Sequence, residues 1–440
     1  MFNVRQISDD FYYVGGNDRR LELFENAYPI PDGVSYNSYL LVDDKTVLLD
    51  TADAAIGHQF LENVEHILDG RTLDYVVVNH MEPDHCATLC DIVVRYPDVK
   101  IVGNTMTFRM MKQFFDFDVD SYAIVVKESD TLETGHHVLS FVTTPMVHWP
   151  EVMMTYDSTT GILFSADAFG TFGALHGNLF TSEMDLDESF WNEARRYYTN
   201  IVGKYGVQVT NALKKASTLD ISMLCPLHGP IWDEDINLMV EHTASWAAYK
   251  PEVKGVMIAY GSIYGGTANA AEILASKLSE KGIHNIKVYD VSKTDSSYIL
   301  SAITVHSHLI PFLFIERLAI AHTQNLHLLA VWLGNIYLII DAGSTVKVEG
   351  EVLEAQTLLI ALGVGIEQEQ MVFRTLHRIH PEVIAHLQML SDLLSGKAHH
   401  IELVLIFIEI EHVTNVDRSR LDGGIKLEGR IEGNIGIRDL

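Results

Sequence analysis

The residues that most restrict what this chain can fold into are His80-Met81-Glu82-Pro83-Asp84-His85, which follow at once on the apolar run Tyr75-Val76-Val77-Val78. A continuous apolar run of that kind reads as a strand buried on both faces. Four potential metal donors within six residues, at the carboxyl end of such a strand, point to a layered α/β architecture. In these folds the strand ends and the loops after them carry the site.

Three later segments repeat the pattern of strand-like run, then loop, then donor. They are His148 in Met146-Val147-His148-Trp149-Pro150, Asp167 in Phe164-Ser165-Ala166-Asp167-Ala168-Phe169-Gly170, and His228 in Cys225-Pro226-Leu227-His228-Gly229-Pro230. The set holds four histidines and three carboxylates, too many for one tetrahedral ion and suited to a pair. Glu82 adds a hard anionic oxygen where a zinc hydrolase of this design typically places histidine, and mixed imidazole and carboxylate ligation favours non-haem iron over zinc. Asp167 has two carboxylate oxygens and can bridge two cations.

Around this set the first half reads as strands and short helices. Residues 35–42, 46–50 and 75–78 are β-type, and 187–215 has helical periodicity. The run 233–249 reads as a second helix that stops at Lys250-Pro251, because proline disfavours helix in the residue before it. A new unit then opens with the strand Gly255-Val256-Met257-Ile258-Ala259-Tyr260, a glycine-rich turn and a helix over 268–281. The turn Ser262-Ile263-Tyr264-Gly265-Gly266-Thr267 places hydroxyls and free backbone N–H groups at a helix N-terminus, which is a phosphate cradle.

On these motifs, together with Gly33-Val34-Ser35-Tyr36-Asn37-Ser38-Tyr39-Leu40, the chain resembles the flavodiiron proteins over roughly residues 1–300. The resemblance implies an N-terminal αββα metallo-β-lactamase-like sandwich over 1–250 and a flavodoxin-like doubly wound parallel sheet over 251–400, leaving 401–440 as a C-terminal segment without an assigned structure. It implies that His80, Glu82 and His148 hold one iron, that Asp84, His85 and His228 hold the other, and that Asp167 bridges. FMN would bind non-covalently with its phosphate on Ser262, Ile263, Tyr264, Gly265, Gly266 and Thr267. The expected activity passes electrons from FMN to the diiron centre to reduce dioxygen to water, nitric oxide to nitrous oxide, or both. The expected assembly is a head-to-tail homodimer, or a dimer of dimers. From residue 301 onward the chain departs from the family's pattern. Pro311-Phe312-Leu313-Phe314 stands where a polar ring-binding loop is expected, and Trp332-Leu333-Gly334-Asn335 is the nearest substitute.

The formal charge of −28 disfavours nucleic-acid and anionic-membrane partners, which repel an acidic surface. Three cysteines, Cys86, Cys90 and Cys225, are too few for a disulfide framework and suit a reducing, cytoplasmic setting. Cys86 and Cys90, four apart, read as buried thiols on one helix face. No C-x-x-C pair occurs, so a rubredoxin-type centre is not expected within these residues, and a separate redox protein such as rubredoxin becomes the expected electron donor. Lys204, Lys214 and Lys215 are the cations available for docking it. The N-terminus lacks a signal-peptide pattern, and the apolar stretch 309–340 is interrupted by Glu316 and Arg317, so it reads as buried rather than membrane-spanning. Two rivals stand beside the reductase: a zinc-dependent hydrolase of the metallo-β-lactamase superfamily, and a flavin-binding electron carrier with a vestigial metal site.

Overall fold

Strict alternation along the strands decides the layering. In Tyr39–Val42 and Thr46–Leu49, residues Tyr39, Leu41, Val47 and Leu49 pack in one buried cluster, while Leu40 and Leu48 belong to another. A computed structural model of the chain describes residues 2–313 and the short strands Trp332–Leu333, Ile336–Tyr337, Val346–Val348, Glu351–Leu353 and Glu402–Leu403. Its first sheet has seven strands in the order Arg5–Gln6, Phe11–Tyr13, Tyr39–Val42, Thr46–Leu49, Tyr75–Val77, Lys100–Gly103 and Ala123–Val125. The pairings are antiparallel up to Thr46–Leu49 and parallel beyond it.

The second sheet runs Thr131–Glu133, Val138–Thr143, Met153–Asp157, Ile162–Phe164 and Met223–Cys225, antiparallel except for its last pair. Tyr39, Leu41, Val47, Leu49, Val77 and Val102 of the first sheet meet Leu139, Phe141, Met153, Ile162, Phe164 and Cys225 of the second, forming the dry layer between the sheets. The outer face of the first sheet is covered by Gly57–Leu68 through Phe60, Val64 and Leu68. The helices Glu188–Tyr197, Gly206–Ala216 and Ile236–Ala247 cover the second through Ala194, Val209, Ala212 and Met239. This is the αββα sandwich. Truncating Leu48, wholly buried at its centre, to alanine would cost about 2–5 kcal/mol.

The periodicity over 187–215 predicts one helix, but the chain breaks it. Glu188–Tyr197, whose N-terminus is capped by Asp187 accepting from Phe190 N, passes into a π-helical turn Tyr198–Val202 and a 3₁₀ turn Gly203–Tyr205 before Gly206–Ala216 begins. Tyr197 closes the regular helix and Tyr198 opens the wider turn, and both are buried. The strand expected over 35–42 is likewise two strands, Val34–Tyr36 and Tyr39–Val42. Between them Asn37 and Ser38 turn the chain, with the Asn37 side chain donating to the carbonyls of Pro226 and Gly229.

The second α/β layer is parallel throughout. Its strand order is Ile286–Asp290, Val253–Gly261, His306–Leu313 and then Glu402–Leu403, which begins with the second, first and third strands of a flavodoxin-like sheet. Helices Gly266–Glu280 and Ser296–Val305 pack against it, the latter through Ile299, Ala302 and Ile303 on Met257, Ala259 and Leu309. The two layers are tied together by Arg196. Its buried guanidinium lies 4.5 Å from the ring centroids of both Phe172 and Tyr298 and donates to Pro29 O and Ser297 Oγ. Trp332–Leu333 pairs antiparallel with Ile336–Tyr337, while Gly334, Asn335 and nearly all of 401–440 lie outside the described residues. No helix among the described residues is long and apolar enough to cross a membrane.

Candidate metal centre and flavin loop

Each donor is delivered by a strand end. Tyr75–Val77 delivers His80 and the short helix Pro83–Cys86, Val138–Thr143 leads to His148, Ile162–Phe164 to Asp167, and Met223–Cys225 to His228. The structure brings all seven together as two groups, His80, Glu82, His148 and Asp167 in one and Asp84, His85 and His228 in the other, with donor atoms within 4.8 Å of one another in each group. In the first, Glu82 Oε2 lies 3.1 Å from His80 Nε2 and 2.9 Å from His148 Nε2. In the second, Asp84 Oδ2 is 3.3 Å from both His85 Nε2 and His228 Nε2. Asp167 serves both sides: Oδ2 is 3.2 Å from His148 Nε2, and Oδ1 is 3.1 Å from His85 Nε2.

Whether these residues suit metal ions follows from where their protons must be. His228 Nδ1 donates to the Ser35 carbonyl at 2.7 Å, so its Nε2 presents a lone pair. His80 Nδ1 donates to Glu151 Oε1 at 2.9 Å, so its Nε2 is left to face Glu82 and Asp167. These nitrogens converge on carboxylates in a buried space, where a proton or a cation has to lie between them. His85 Nε2 faces His228 Nε2 at 3.1 Å, and both oxygens of Asp84 and Oδ1 of Asp167 have no hydrogen-bond donor. Cations between them resolve every one of these contacts, and the donor set fits two iron ions.

The charges respond to this crowding. Burial works to lower the His80 pKa, but Asp167, Glu151 and Glu82 outweigh it and hold the pKa well above the usual imidazole range. Burial works to raise that of Asp167, yet His85, His80 and His148 hold it well below the usual carboxylate range.

Several residues in the site escape a reading of the sequence. Glu151 is buried and also accepts from Met81 N at 2.8 Å, so it fixes both the ring and the loop. Asp50 accepts from Asn79 N and His80 N, and burial pushes its pKa up to about 6. An acidic residue closing an apolar strand is the signal that could have found it, while the Ser35 carbonyl leaves no trace in sequence. Glu25 stands at the tip of the hairpin Leu23–Phe24 and Tyr28–Pro29, whose Phe24 packs edge-on against the His228 ring at 5.3 Å. The residue as a whole is exposed, but its carboxyl turns toward Glu82, where burial and then the Glu82 charge push it up to about 8. Tyr197, by contrast, is legible in the sequence, where it and Tyr198 are candidate hydrogen-bond donors near the irons as well as core residues; its hydroxyl faces Asp167 without closing a hydrogen bond of ordinary length.

Of the three thiols Cys86 and Cys225 are buried, whereas Cys90 is only half-buried, contrary to the expectation. Cys86 is buried and donates to Met81 O, but it ends one short helix while Cys90 belongs to the next, Leu89–Arg95, so the two do not share a face of a single helix. The break at Ala87 and Thr88 follows from Thr88, whose side chain is occupied with Ala52. Lys215 is held by Glu128 and Thr143, which takes it out of any free docking cluster.

Residues 262–267 are the opposite of the metal loops. They join the strand Val253–Gly261 to the helix Gly266–Glu280, with Gly265 at φ +85° and its N–H donating to Ser262 Oγ. Ile263, Tyr264, Gly265 and Gly266 are exposed, Tyr264 to 88%. The first-turn N–H groups and the Ser262, Tyr264 and Thr267 hydroxyls therefore suit a phosphate arriving from solvent. Pro311-Phe312-Leu313-Phe314 runs out of the described residues at Leu313, and Gly334 and Asn335 of the expected substitute lie outside them.

Fold and site thus define a dinuclear-metal protein of the metallo-β-lactamase type joined to a flavodoxin-like sheet. Residues 34–229 match the ODP family beta lactamase domain. The chain is 35% identical over 300 residues to an uncharacterized protein of Methanocaldococcus jannaschii, covering 68% of this chain and 74% of that one. It is 32% identical over 300 residues to the anaerobic nitric oxide reductase flavorubredoxin of Escherichia coli, covering 67% of this chain and 62%, less than two thirds, of the relative. Its fold matches the flavodiiron protein from Giardia intestinalis at a TM-score of 0.67 and 25% identity, over 71% of this chain and 75% of the other. It also matches rubredoxin oxygen:oxidoreductase from Desulfovibrio gigas at a TM-score of 0.66 and 27% identity, over 70% and 77%. The chain belongs to the flavodiiron proteins, oxidoreductases whose cofactors are two iron ions and FMN.

Proposed function

We propose that the chain reduces a small diatomic gas, dioxygen to water or nitric oxide to nitrous oxide, at a diiron centre fed by FMN. The observation that carries the reading is the pair of buried donor groups sharing Asp167, one oxygen toward each. A nitric oxide reductase and an oxygen oxidoreductase among the relatives support it over a zinc hydrolase. His80, Glu82 and His148 would hold one iron, Asp84, His85 and His228 the other, and Asp167 would bridge. When bound, the irons supply the redox change and the FMN supplies the electrons.

The chain's own residues do the rest. Glu82, Asp84 and Asp167 offset cationic charge in a space closed to water. Glu151 and the Ser35 carbonyl fix two imidazole tautomers, so that Nε2 of His80 and of His228 always points inward. Phe24 and Tyr36 wall the His228 ring, and Trp149 walls His80. Ser262, Tyr264, Gly265, Gly266 and Thr267, with Ile263 between them, would hold the FMN phosphate.

A separate redox protein such as rubredoxin would deliver electrons, in keeping with a relative named for rubredoxin and with the absence of a C-x-x-C pair in these residues. The working assembly would be a cytoplasmic head-to-tail homodimer or a dimer of such dimers, bringing the flavin of one subunit to the irons of another. The test supplies reduced rubredoxin to protein loaded with iron and FMN, then follows oxygen and nitric oxide separately. Consumption of at least one gas is expected, and consumption of neither overturns the reading.

A further inference from the structure

Beside Asp167 lies a small cavity of about 20 Å³, lined by Asp167, Tyr197, Tyr198, Val209, Met239 and Thr243 among others. Three hydroxyl-bearing residues line it, Tyr197, Tyr198 and Thr243, which are 1%, 6% and 3% exposed, and none of their hydroxyls has a hydrogen-bond partner. Buried hydroxyls are rarely left unpaired in folded proteins. Three on residues around the same small space call for a shared partner.

Local structure shows that this arrangement is specific. A threonine inside a helix ordinarily ties its hydroxyl to the carbonyl four residues back. Thr210, on the neighbouring helix, does so with Gly206 O at 2.8 Å. Thr243, on Ile236–Ala247, leaves that bond unmade and keeps its hydroxyl for the cavity. The π-helical turn that begins at Tyr198 brings a second hydroxyl to the same space, next to that of Tyr197. Turns of this kind are frequent at functional sites.

The ligand chemistry follows from size and polarity. A volume of about 20 Å³ holds a water molecule, and a buried water makes about three hydrogen bonds, which the three hydroxyls can supply. We infer that the cavity is an internal water site, and that its water, held by Thr243 and Tyr198, positions the Tyr197 hydroxyl on Asp167. Tyr197 is otherwise free to turn its O–H, because its ring is held by Phe172 and His228 while its oxygen has no other partner. The water accepts from Tyr198 or Thr243 and occupies the acceptor side of the Tyr197 oxygen. The phenol proton is then directed at the carboxylate. Thr243 and Tyr198 are positioning residues that act through Tyr197, and the inference rests on the reading of Asp167 as the shared ligand.

The test has a crystallographic arm and a kinetic arm. In crystals of the metal-loaded enzyme, one ordered water should lie about 2.7–3.0 Å from the three hydroxyl oxygens, with the Tyr197 hydroxyl bonded to Asp167. Thr243→Val keeps the shape and should lose both features, while Thr243→Ser should restore them. A dry cavity, or one that takes up xenon under pressure in the wild-type protein, overturns the proposal. In turnover, T243V and Y198F should each lower kcat on the order of fivefold at unchanged KM for the electron donor. T243V should add nothing in a Tyr197→Phe background, because the water acts only through that hydroxyl. Additive losses overturn the positioning role. Should the wild-type enzyme consume neither gas, the reductase reading fails by itself, and the crystals still decide whether the water is there.

Discussion

Around His80 every donor is buried, and His80 and His228 are each tied to a second partner, whereas from Ser262 to Thr267 the chain leaves hydroxyls and backbone N–H groups open to solvent. The contrast follows from what each region has to hold. Metal ions impose close contacts among like-charged carboxylates and lone pairs, which a rigid, buried surround keeps in place. A phosphate brings its own charge and hydration and needs only donors in a fixed arc. The metal loops are therefore fixed by strands of two sheets, and the phosphate loop by one strand, one helix and one glycine. Changes to the second region should leave the first intact, and the reverse should hold as well.

Asp167→Ala should break the comparison at its strongest point. Loss of the carboxylate shared by both groups should strip at least one iron and lower gas reduction by more than about a hundredfold, since even outer-shell changes reach that scale. FMN uptake should be unchanged, and metal analysis beside flavin titration reads both effects at once. Glu151→Gln should weaken metal affinity by about 10–100-fold in chelator competition, because His80 loses its anionic partner. Metal affinity equal to wild type would show that the tautomer is set elsewhere.

Gly265→Val tests the open region. At φ +85° a β-branched side chain is strained by about 1–2 kcal/mol, so FMN should bind roughly tenfold more weakly, with iron content unaltered. Fluorescence titration measures it. Unchanged binding would place the phosphate elsewhere.

The smallest effect lies far from both cofactors. Burial works to lower the His137 pKa, but its bonds to Asp157 and Asp10, with the charge of Asp43 nearby, raise it above 6.5. A raised histidine pKa contributes stability that is fully present below the unfolded value and is lost as pH rises through the folded one. His137→Asn should remove that part of the Tm dependence on pH. A Tm profile parallel to wild type across this window would contradict the assignment.

These contrasts also explain what could be read in the sequence. The strands of the sandwich are legible because Leu40, Leu48 and Val76 alternate with residues of the opposite face or run continuously apolar. The metal donors are legible because each sits in the loop that follows such a run. What surrounds them is not. The Ser35 carbonyl has no side-chain signature, Glu151 is one glutamate among many, and Glu25 reaches Glu82 only through the tip of a short hairpin. The break after Tyr197 is hidden because apolar spacing continues across it through Ile201, Val209 and Ala212. Beyond Leu313 turn residues such as Gly334-Asn335 and Asp341-Ala342-Gly343-Ser344 lie between apolar runs of no single period, so the sequence does not separate strand from helix there.

The most direct test of the account is the metal and flavin content of the protein purified without added cofactors. The account predicts iron at two ions per chain, one for each donor group, with bound FMN and little zinc. Zinc in place of iron, or a single metal ion in a fully active protein, would contradict it.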